Sequence, residues 1–231
     1  MSVTFTLDRT MTALQQFNRN VDASDKLVGM YRQLRGFRNL GARGRLDAQN
    51  QDLLWLPRSA VVAAISALDT YVHSVVKERL PHLFGPNKVV PESLAEQLAL
   101  LMPVRNANTF RQAVPILLAQ DTVGQLLKKL EDNYLQFQSF QAPDKIIEAY
   151  RLIGFDNVFE PVSDLWPGPN TTAEHLKRRL AGFVQRRNQI AHEGDLEANG
   201  QQRPMQPDYA IECREFVGSL VNRLNQVAYA A

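Results

Sequence analysis

The 231-residue chain is 45% hydrophobic and 22% charged with a formal net charge of +2, the balance of a globular protein able to bury a sizeable core. Its one cysteine, Cys213, excludes an intramolecular disulfide and any site built from several thiolates. Nineteen of the 26 basic residues are Arg, the side chain suited to bidentate phosphate contacts. The N-terminus lacks a basic start followed by an apolar run, and the longest apolar run, 60–65, is too short to span a bilayer. No membrane partner is therefore expected, and a cytoplasmic location is.

Helical spacing governs nearly the whole chain. Segments 5–17 and 27–34 carry apolar residues at that spacing around a polar break at 20–24, which predicts an N-terminal helical hairpin or a bent helix. Next comes RGFRNLGARGRLDAQNQ, with three Gly and with Arg35, Arg38, Arg43 and Arg45. It reads as a basic loop that can lie on a phosphate backbone, although solvated surface is the commoner meaning of such a run. Segment 52–80 is apolar nearly all round over 60–68, so it is expected at the centre of a bundle. Asp69 lies in those apolar surroundings and needs a partner, for which Arg187 is the expected cation. His73, one turn on, is a second titrating group or an ordinary core-edge histidine.

Pro81 and the stretch after it close the central helix. Further helices are predicted over 91–101, 110–118, 123–140 and 144–153, the third with Leu126, Leu127, Leu130, Tyr134 and Phe137 on one face and the last ending at Gly154. Segment 157–170 is rich in Pro and Gly and reads as irregular. Thr171 or Thr172 then caps a long helix, and 208–229 closes the chain. No repeat and no strand alternation stand out. The expected fold class is all-α: one domain over 1–231, with 1–48 an N-terminal hairpin and basic loop and 50–231 a bundle.

Function concentrates in QRRNQIAHEGD, 185–195. Leu176, Leu180, Phe183 and Ile190 mark the buried face of the preceding helix, flanked by Val184 and Ala191. Arg187 falls within about 20° of Leu176 around that helix, where it requires a partner or a solvent channel. Asn188 and His192, four apart, stack so that the amide can orient the imidazole. Gly194 reads as the helix stop, leaving His192 in the last turn at the negative end of the helix dipole, a position suited to a proton donor. A bare R-x4-H arises about 0.3 times in a shuffled chain of this composition, so spacing alone leaves open a helix cap with a solvated His and an Arg reaching bulk water. His73, His82, His175 and His192 lack metal-ligand spacing, and P-loop, dinucleotide, HExxH and EF-hand patterns are missing from the sequence. No metal and no cofactor are expected.

RRNQIAHEGD at the end of a penultimate long helix resembles the R-x4-6-H signature of the HEPN superfamily, in the form R-N-x-x-x-H. AISALDTYVHSVV and DKIIEAYRLIGFDNVFEPV resemble two further segments of the RiboL-PSP-HEPN group, so the likeness covers most of the chain from about residue 50. The resemblance implies a HEPN-like helical bundle with additional peripheral helices that forms a homodimer. It also implies a metal-independent endoribonuclease of a toxin-antitoxin or anti-phage system, with RNA as substrate and an antitoxin as a further partner. On it, Arg187 and His192 match the signature pair and Asn188 the polar residue after Arg. Asp69 matches the acidic position of the facing helix, where the family often has Glu. His192 would move protons, Arg187 would stabilise phosphate charge and Asn188 would position the imidazole or a phosphate oxygen. Asp69 and His73 would support the site, and Arg178, Arg179 and Arg186 would contact RNA. Two alternatives stay open: a catalytically silent HEPN-like module that binds RNA or a nucleotide or only dimerises, and a structural helical adaptor.

Overall fold

The computed structural model describes residues 11–41, 44–102, 104–168 and 171–230, and over these residues all regular structure is helical apart from one isolated bridge, Leu196 with Gln202. Four long helices form the body: α1 Ala13–Phe37, α2 Trp55–Arg79, α8 Ala173–His192 and α9 Pro207–Tyr229. Between α2 and α8 the chain forms shorter helices: α3 Glu92–Leu101, α4 Ala107–Leu117, α5 Thr122–Asn133, α6 Pro143–Arg151 and α7 Phe159–Asp164. α2 is the axis, packed by α1, α8 and α9, and its Ala60, Val61, Ala64, Ile65, Leu68, Tyr71, Val72, Val75 and Val76 are fully buried. An all-round apolar helix can be accommodated only by neighbours on several sides. By length and composition 48–83 is apolar enough to cross a membrane, yet 56% of its most apolar stretch is buried inside the bundle.

The N-terminal hairpin expected from the polar break is a single helix among the described residues; 5–10 lie outside them. Thr12 caps α1 in a reciprocal box with Gln15. The break does not interrupt the helix because Val21 and Ser24 continue the buried face of Phe17, Val28, Tyr31 and Arg35, while Asp22 pairs with Lys26 on the outside at 2.6 Å. The Ala13 N–H donates to Glu78 Oε1 at 2.6 Å, and the Tyr229 hydroxyl donates to the other oxygen. One carboxylate of α2 thereby ties the start of α1 to the end of α9.

Two arginines of the basic stretch are engaged within the protein. Arg35 is buried inside α1, where its guanidinium donates to the carbonyls of Leu40 (3.0 Å), Gly41 (2.9 Å) and Gly44 (3.2 Å) and so gathers the loop around itself. Arg38 is spent on Asp52 at 2.8 Å and on Asn50 at 2.9 Å. Arg45 is exposed, and Arg43 lies outside the described residues. Two of the four cations thus hold protein rather than face a ligand.

The helix expected over 123–140 stops at Asn133, and a 3₁₀ turn at Leu135–Phe137 leads into extended chain. Phe137, placed by periodicity on the apolar face, is 73% exposed as a result. Segment 157–170 contains α7, whose Phe159 and Val162 are buried beside Val158. Pro161 sits in its first turn, where a missing N–H costs nothing.

Candidate active site

The motif is carried by α8, whose start is fixed by the Thr172 hydroxyl accepting from the His175 N–H at 3.2 Å. Leu176, Leu180, Phe183, Val184 and Ile190 are buried as the periodicity predicts, and Phe183 packs on Tyr209 and Phe216 of α9 with ring centroids 5.4 and 5.5 Å away. At the other end the Glu193 and Asp195 N–H groups both donate to the Gln189 carbonyl, at 3.1 and 2.9 Å, and Gly194 takes a left-handed φ of 63°. His192 is exposed on the last turn.

Arg187 is half-buried. Its Nη1 donates to Asn188 Oδ1 at 3.0 Å, its buried Nε has no hydrogen-bond partner, and among the described residues it joins no ion pair. Asn188 is exposed and gives its carbonyl to Arg187, where sequence reasoning had it orienting His192. Adjacent side chains on a helix diverge by about 100°, but the Arg stem is long enough to bend back over its neighbour.

Asp69 does not meet Arg187. Its Oδ1 accepts from the Phe140 N–H at 2.5 Å and its Oδ2 from the Gln141 amide at 3.4 Å. His73 is engaged with the same segment, its Nε2 lying 3.2 Å from the Gln138 carbonyl and its ring 4.6 Å from that of Phe140. Asp69 and His73 therefore act together as a clamp on 138–141. The half-buried carboxylate is satisfied by N–H donors instead of by a cation, which is the cheaper solution at a core edge.

Of the three arginines expected to contact RNA, only Arg178 is plainly exposed. Arg179 pairs with Glu212 at 2.7 Å and stacks over Phe216 at 4.9 Å. Arg186 is turned inward: its side chain is 13% exposed, and its Nη1 lies 2.6 Å from Asp195 Oδ1. Asp195 is fully buried and also receives Arg58 Nε from α2, itself 1% exposed. Arg58 Nη2 continues to the Arg203 carbonyl at 2.7 Å, and Arg186 Nη2 reaches the Pro204 carbonyl at 2.9 Å.

Sequence reasoning missed this triad. Arg58 stands at i−3, i−7 and i−10 from the buried Val61, Ile65 and Leu68, so helical phase alone marks it as an inward cation. Asp195 stood inside the motif with no role assigned. Elsewhere among the described residues no three His, Cys, Asp or Glu side chains are grouped to hold a metal ion.

A family model described as RiboL-PSP-HEPN matches residues 38–230. No curated protein and no solved structure matches the chain.

Proposed function

The chain belongs to the RiboL-PSP-HEPN family, and from that premise we propose that it is a metal-independent endoribonuclease. The observation that carries this reading is the end of α8, where an exposed His192 stands five residues beyond an Arg187 whose charge no carboxylate neutralises among the described residues. In the proposed reaction the RNA 2′-hydroxyl attacks the adjacent phosphorus and gives its proton to His192. Arg187 donates to the non-bridging oxygens as negative charge builds on them. The 5′-oxygen departs with a proton from a second imidazole, leaving a 2′,3′-cyclic phosphate and a 5′-hydroxyl. Asn188 steadies the guanidinium through its carbonyl.

Five residues of helix separate Arg187 from His192 by about 140° and about 7.5 Å of rise. One helix therefore spreads the pair, and two α8 helices facing each other across a two-fold axis bring an Arg of one copy beside a His of the other. The second imidazole is then the partner's. The setting we infer is a cytoplasmic toxin-antitoxin or anti-phage system in which an antitoxin restrains the nuclease.

The test is cleavage of a defined single-stranded RNA by the purified protein and by His192→Ala, each with and without EDTA. Cleavage by the wild type that survives EDTA and is lost in His192→Ala supports the reading. A requirement for added Mg²⁺, or an equally active His192→Ala, overturns it. RNA that is bound but left intact assigns the chain to the silent binding modules instead.

A further inference from the structure

Asp195 is buried among charges that the proposed cleavage does not use. A desolvated carboxylate with two guanidinium groups adds little or nothing to stability compared with apolar side chains of the same volume. What such a group does well is fix geometry. Here the geometry is that of the helix end: Asp195 lies three residues after His192 in the left-handed region, at φ 59°, directly after Gly194. Gly is the residue most able to swing at such a junction. Asp195 removes that freedom through its side chain, and its backbone is fixed on both sides, the N–H to the Gln189 carbonyl at 2.9 Å and the carbonyl to the Arg203 N–H at 2.8 Å. Arg203 closes the turn from outside by pairing with Glu193 at 2.9 Å. Arg58, stacked over Trp55 at 5.3 Å, refers the assembly to α2, the most buried helix of the fold.

Asp195 also sorts two neighbouring arginines. Arg186 and Arg187 are adjacent and chemically alike. The buried carboxylate draws Arg186 inward at 2.6 Å, and Arg187 is left to reach Asn188 at the surface.

We propose that Asp195, held between Arg58 and Arg186, is a positioning residue that sets the place of His192 and reserves Arg187 for the phosphate; this rests on the reading of His192 as the proton-transfer group. Removing its charge leaves the RNA surface in place but loosens the last turn of α8. Asp195→Asn keeps size and tolerance of positive φ while weakening the Arg186 fork and the single Arg58 contact. Its kcat for cleavage of the RNA should fall about 10- to 100-fold, the cost of misplacing a reacting group by around an ångström, with KM within about twofold of wild type. In ¹³C-histidine-labelled protein the His192 Cε1–Hε1 signal should move or broaden, while that of exposed His82 stays put.

A folded Asp195→Asn protein with wild-type kcat and an unchanged His192 signal overturns the proposal, and so does a loss confined to KM. Should Asp195→Asn fail to fold, Arg186→Lys at the solvent edge keeps the charge and removes the fork. The same fall in kcat and the same His192 perturbation are expected there, and wild-type values for both overturn the proposal. If the wild type leaves RNA intact, the nuclease reading fails by itself, and the His192 signal still decides whether Asp195 places the imidazole.

Discussion

Asp69 accepts from the Phe140 N–H and the Gln141 amide, so replacing it acts on the 138–141 connector and not on Arg187. Asp69→Ala should cost about 1–3 kcal/mol in denaturant unfolding, because it leaves a partly buried backbone donor unsatisfied. A double-mutant cycle with Arg187→Ala should be additive within about 0.5 kcal/mol. Coupling above about 1 kcal/mol would place the two in contact. His192 is solvent-exposed on the last turn of α8, so His192→Ala should leave unfolding free energy within about 0.5 kcal/mol of wild type, which makes its activity readout a clean one. Cys213 is fully buried, and burial pushes its thiol up to about 12. A thiol reagent at pH 8 should therefore leave native protein unmodified and react with one equivalent on unfolding. Rapid labelling of the native state would mean that α9 opens locally.

At the scale of elements, capping and helical phase account for most of what forms. Thr172→Ala removes the hydroxyl that holds the His175 N–H and should cost about 1 kcal/mol by denaturant unfolding, with the far end of α8 unaffected. An unchanged midpoint would mean that water replaces the cap fully. The long helices α2, α8 and α9 were legible because their apolar positions repeat over five turns or more. α1 was misread because its exposed polar residues sit next to the one turn whose buried position is Ser24. α7 was hidden by Pro and Gly around only three buried apolar residues, Val158, Phe159 and Val162. The motif itself was visible, including Arg187 as a partly inward cation, yet its partner was chosen wrongly. Asp69 stands beside the most apolar stretch and attracted the pairing, whereas the buried ion pair of α2 uses Arg58 and a carboxylate 137 residues away. Periodicity ranks positions on one helix by burial, but it carries nothing about which distant loop supplies the counter-charge.

For the whole molecule, the spread of Arg187 and His192 around one helix makes a two-copy site testable. On the proposed two-fold arrangement, Arg187→Ala and His192→Ala proteins should each be nearly inactive, and a purified mixed dimer, with one Arg and one His at the same cleft, should recover part of the activity. Activity no greater than that of the parents would mean two separate sites, or a need for all four groups. The second test concerns α1, which contributes Ala13, Phe17, Val21, Val28 and Tyr31 to the core shared with α2 and α9. Full burial of a large apolar side chain stabilises by about 1.5–3 kcal/mol, so losing this helix removes an amount comparable with the whole folding free energy. A protein starting at residue 38 should lack a cooperative thermal transition, and a sharp melt near that of the full chain would show α1 to be dispensable.

The contacts of α1 also bear on how far the packed unit reaches. Likeness to the family model begins at residue 38, just past the end of α1, whereas the apolar core and the Glu78 junction reach back to Ala13. The matched segment is thus shorter than the packed core. α1 works as a roof over α2 and α9. A chimera joined at residue 38 would inherit the bundle with one face stripped bare.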